Sequence, residues 1–80
     1  MTDLPSPPPN SDLADLLAMF ARAGVQHEPA DLDDVNFRIA DRYNESATFG
    51  LRVRDSRDAA AVYYAFDARG MLIDTWAQEE

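Results

Sequence analysis

The hydrophobic pattern changes period partway along this chain, and that change limits the architectures open to it. Leu13, Leu16, Leu17 and Phe20 recur at i, i+3, i+4 and i+7, which puts all four on one face of an α-helix over residues 11–23. From Val35 the repeat shortens to two. Val35, Phe37 and Ile39 alternate with Asn36, Arg38 and Ala40, and Phe49, Leu51 and Val53 alternate with Thr48, Gly50, Arg52 and Arg54. Such a chain is expected to be α+β, with one N-terminal helix packed on one face of a four-stranded antiparallel β-meander. The expected strand order is 1-2-3-4, because consecutive strands joined by short loops usually pair.

Local chemistry supports the helix at both ends. Asn10, Ser11 or Asp12 can cap it, Asp12 and Asp15 complement the positive end of its dipole, and Arg22 complements the other end. Gly24 stands where a left-handed residue ends a helix, with Val25 placed to reach back toward Phe20. Residues 26–34 then read as a polar connection, and Asn44, Glu45 and Ser46 as a turn between the first two strands. Residues 55–58 read as the next turn. Val62, Tyr64 and Phe66 form one side of a third strand, and their bulk outweighs the helical preference of the alanines at 59–61 and 65. Asp67, Ala68, Arg69 and Gly70 are a hairpin turn, predicting that Phe66 faces Leu72, Tyr64 faces Asp74 and Val62 faces Trp76. The stretch from Val62 to Trp76, an apolar strand, an Asp-Ala-Arg-Gly turn and a second apolar strand, resembles a pattern found in many short bacterial and phage proteins. That resemblance carries no functional residue and names no family.

The inward set expected from these periods is Leu13, Leu16, Leu17, Phe20, Val25, Val35, Phe37, Ile39, Phe49, Leu51, Val53, Val62, Tyr64, Phe66, Leu72 and Trp76. Eighty residues suffice for one domain, here residues 11–80, and with no cysteine the core must hold without disulfides. Residues 1–10 hold four prolines and read as a flexible, extended arm. The absence of thiols fits a reducing compartment, and no apolar run is long enough for a signal peptide or a membrane span, so a cytoplasmic protein is expected. A net charge of −8 repels phosphate and anionic lipid at long range, which disfavours nucleic acid and membrane as partners and favours another protein.

Two surfaces stand out as contact sites. Strand parity sends Arg38, Arg42, Arg52 and Arg54 to the face opposite the core, beside Tyr63, Ile73 and Thr75, where forked guanidinium donors adjoin an aromatic ring. That face suits a partner protein or a second copy of the chain. The alternative surface is acidic, built from Asp12, Asp15, Asp31, Asp33 and Asp34, and would suit an inhibitor or immunity-type protein, mimicking DNA to a basic partner.

Chemistry has little support. The cluster His27, Glu28, Asp31, Asp33 and Asp34 lacks the glycine and distal glutamate of a calcium loop, and a single histidine makes a poor zinc or iron site. Serines 6, 11, 46 and 56 lie in no nucleophile context, so neither a cofactor nor catalysis is expected, and a small hydrolase or metal-dependent enzyme ranks last. Asp41 and Asp74 fall at inward parity. They are expected at a sheet margin and on the Tyr64 hydroxyl respectively, or else as two carboxylates entering one cleft.

Overall fold

The computed structural model describes residues 8–40, 46–54 and 60–79. Its first element is helix α1, Asp12–Ala23, where the Ser11 hydroxyl accepts from the Ala14 N–H at 3.1 Å. At the far end the Val25 N–H donates to the Phe20 carbonyl at 2.9 Å, the back-bond that the sequence placed there. Strand β1 (Glu28–Pro29) follows, then a second helix α2 (Leu32–Ile39), and strands β2 (Phe49–Arg54), β3 (Ala60–Phe66) and β4 (Leu72–Glu79). The fold is α+β, and the antiparallel sheet runs in the order β1-β2-β3-β4.

The helix count is two, not one, and residues 35–40 do not form the first strand. Asp31 caps α2 by accepting the Asp33 N–H at 2.9 Å, Asp33 and Asp34 sit in its first turn, and Arg38 sits in its last. These end signals suit a helix, and the spacing of Val35 and Ile39 suits one as well, since residues four apart share a helical face. Both are buried, whereas Phe37, which strand parity had sent inward with them, is 85% exposed. The first strand is instead the short Glu28–Pro29, held by pairing with Arg52 and Leu51 and by an Ala30 N–H to Gly50 carbonyl bond of 3.0 Å.

The two helices cover opposite faces of the sheet. Leu13 and Phe20 of α1 pack with Phe49, Leu51 and Phe66, flanked by Leu16, Leu17, Val53 and Tyr64. On the other face Val35 and Ile39 of α2 pack with Ala47 and Ala65, flanked by Ala30, Ile73 and Trp76. Gly50 permits the second packing. A β-carbon there would come within 3.2 Å of Ala30 Cβ and 3.3 Å of Val35 Cγ2. From behind, the Asn36 side chain of α2 accepts the Ala47 N–H at 2.7 Å.

Alternation in β2 and β3 is as expected, with Leu51 opposite Tyr64 and Arg52 opposite Tyr63. In β4 it breaks once. Phe66 faces Leu72 as predicted, but a bulge follows, so Ala65 faces Asp74, Tyr64 faces Thr75 and Tyr63 faces Trp76. One extra residue reverses the parity of everything after it, taking Trp76 off the α1 face and placing it with Ile73 under α2. A second apolar layer on the α2 side needs these side chains. Val25 and Leu72, also expected inward, are 37% and 43% exposed.

The hairpin turn anchors α1 to the sheet. Gly70 has φ of 79°, its carbonyl accepts the Leu13 N–H at 2.9 Å, and a β-carbon on it would lie 2.7 Å from Ser11 Cβ. Asp12 of the helix accepts the Leu72 N–H at 2.9 Å. Within the turn Asp67 accepts the Met71 and Arg69 N–H groups at 3.0 and 2.9 Å and the Arg69 guanidinium at 3.1 Å. The Met71 N–H and then the Arg69 side chain and N–H hold the Asp67 carboxyl below its ordinary range, against the opposing effect of burial. Of the expected arm over residues 1–10, residues 1–7 lie outside the described residues, as do Asp41, Arg42, the turn at 55–58 and the first two positions of the turn at 44–46.

Candidate interaction groove

Register brings three side chains into line across the α2 face of the sheet. Arg52 of β2 stands directly opposite Tyr63 of β3, which stands directly opposite Trp76 of β4. The Arg52 Nε–H donates to the Tyr63 hydroxyl at 3.2 Å, and its guanidinium also pairs with Glu28 on β1. The rings of Tyr63 and Trp76 lie parallel, 5.8 Å between centroids and 7° between planes. Helix α2 adds Arg38, whose guanidinium carbon is 5.8 Å from the centre of the Trp76 ring. An offset aromatic pair contributes about 1 kcal/mol beyond its buried area and an exposed cation on a ring about 0.5–1 kcal/mol, so these contacts favour the observed alignment.

Because α2 crosses only part of that face, a groove of about 700 Å³ remains between the helix and the sheet. Arg52, Tyr63 and Trp76 line it from the sheet, Asp34, Phe37 and Arg38 from the helix. Its character is mixed: flat aromatic surface, cationic groups of both arginines, and carboxylates from the start of α2. The Trp76 Nε1–H is buried without an acceptor among the described residues, a cost that the packing of the ring offsets.

The sequence-derived contact residues divide accordingly. Arg38, Arg52 and Tyr63 come together, although Arg38 arrives from a helix and not from a neighbouring strand. Arg54 is exposed beside a separate hollow of about 270 Å³ that His27 and Glu28 also line. Ile73 is half-buried, packs against the core beneath α2 and does not line the groove. Trp76 and Phe37 were missed. The misplaced carboxylate of Asp74 was the available signal for Trp76, since a one-residue slip there removes Asp74 from the α1 face and turns Trp76 toward Tyr63.

The acidic residues do not form one surface. Asp12 and Asp15 lie on α1, Asp31, Asp33 and Asp34 on α2, across the sheet from each other. Asp12 and Asp31 already hold backbone donors. Asp74 does not meet the Tyr64 hydroxyl: it faces Ala65, on the other side of the sheet, and accepts the Thr75 N–H at 2.9 Å. Its expected companion Asp41 is outside the described residues. His27 lies against Phe20, 5.6 Å between rings, and among the described residues no three His, Asp or Glu side chains converge as a cation site needs. No helix of the described residues is long and apolar enough to cross a membrane. Compared with family models, with curated proteins and with solved structures, the chain gave no match.

Proposed function

We propose that this chain is a small non-enzymatic protein-interaction module of the cytoplasm, contacting a partner protein through the groove between α2 and the sheet. The observation that carries the reading is the alignment of Arg52, Tyr63 and Trp76 under Arg38, which offers a preorganised aromatic and cationic surface in an open groove. Interface hot spots are enriched in these residue types, because a rigid ring or a planar guanidinium loses little entropy on contact. The lack of cysteine in a chain this small supports a reducing compartment.

Arg38 is the residue to test. It is exposed and rests on the Trp76 ring, so Arg38→Ala should cost no more than about 1 kcal/mol of stability. Tagged wild-type and Arg38→Ala chains, expressed in the native host and crosslinked, should differ in the protein they retain. Retention of the same partner at the same yield by both rejects the groove. Arg52→Ala is the weaker probe, because Arg52 also ties β1 to β2 and β3.

A further inference from the structure

Helix α2 carries an unusual outer surface for so short an element. Phe37 projects from it at 85% exposure on the rim of the groove, the largest apolar side chain left open among the described residues. Around it, charge is polarised along the axis, with Asp33 and Asp34 in the first turn and Arg38 in the last, all three exposed. Asp34 and Arg38 are four residues apart, about 6 Å along the helix.

A projecting ring beside a groove, on a helix acidic at one end and basic at the other, is complementary to itself under a two-fold rotation. We propose that two copies of the chain pair through α2, the helices antiparallel, with Phe37 of each copy seated in the groove of the other. The inference rests on the groove being a contact surface and names a second copy as its occupant. Rotation sets the first-turn acids of each copy against Arg38 of the other and opposes the helix dipoles favourably. Phe37 meets the flat surface made by Tyr63 and Trp76, a setting in which one phenylalanine buries about 150–250 Å². A standard interface takes about 800 Å² from each partner. That is roughly one-seventh of the 5623 Å² exposed here. The net charge of −8 on each copy opposes encounter at low salt, so the local pairing decides the outcome near 0.15 M salt, where the Debye length is about 8 Å.

Sedimentation velocity of the full chain from about 10 µM to about 0.5 mM tests this, a span that captures micromolar association. The wild type should pass from the monomer mass of 8.9 kDa to twice that mass, with a parallel change in emission from Trp76, the only tryptophan. Phe37→Ala should keep its circular dichroism spectrum and weaken association at least about tenfold, as loss of a central anchor does. Asp34→Arg alone and Arg38→Asp alone should each remain monomeric, while an equimolar mixture of the two should pair, because each then supplies the charge the other needs. A wild type that stays monomeric over the whole range overturns the inference. So does a dimer that survives both Phe37→Ala and the two charge reversals. Neither result touches the groove as a site for a different protein, which the Arg38→Ala comparison decides separately.

Discussion

Two single residues fix how α1 meets the hairpin. Gly70 combines a left-handed backbone with a site where any β-carbon collides with Ser11, and Ser11 cannot retreat while it caps the helix and donates to the Pro8 carbonyl at 2.6 Å. Gly70→Ala therefore meets strain from two sources and should cost about 2 kcal/mol, read as a lower urea midpoint with an unchanged slope. Asp67 acts through charge. Its folded carboxyl titrates below the ordinary aspartate value of 3.8, so the folded state binds its proton less readily than the unfolded chain. The stability it contributes is complete above 3.8 and is lost as pH falls through the lower folded value. Asp67→Asn should lower the melting temperature at neutral pH and flatten its decline on acidification. A decline as steep as that of the wild type counts against this role.

At the scale of elements, α2 is the instructive one. Asp31→Ala removes its cap and should cost about 1 kcal/mol, measurable in the same urea titration, while loosening the wall of the groove. The helix was hidden by an accident of composition. Val35, Phe37 and Ile39 satisfy a period of two, and only the exposure of Phe37 shows that the operative pair is Val35 with Ile39. The aspartates before them looked like a loop because acidic residues serve loops and helix starts equally well. By contrast α1 was legible throughout, since four apolar residues, a cap and a terminating glycine agree over three turns. The strands β2 and β3 were legible for the same reason, and Arg52 beside Tyr63 followed from parity alone. Trp76 was not, because a bulge is a feature of the ladder, and its one local sign was a carboxylate, Asp74, at inward parity.

For the whole molecule, the sheet is shared property. Leu51 belongs to the α1 core at 0% exposure, and its neighbour Gly50 belongs to the seat of α2, so neither layer can be lost without disturbing the other. Leu51→Ala should cost about 2–5 kcal/mol, against a total of about 4–12 kcal/mol for a chain of this size. The loss should be seen at the same denaturant concentration by far-ultraviolet circular dichroism and by Trp76 fluorescence, although Trp76 lies on the far face. Separate midpoints for the two signals would mean that the layers unfold independently. The margins of the sheet differ in a way that bears on self-assembly. At one side stands a two-residue strand ending in proline, which offers almost no hydrogen-bonding template, and at the other the eight-residue β4. Sheet growth into a fibre needs a template at both margins, and among the described residues the β1 side supplies almost none.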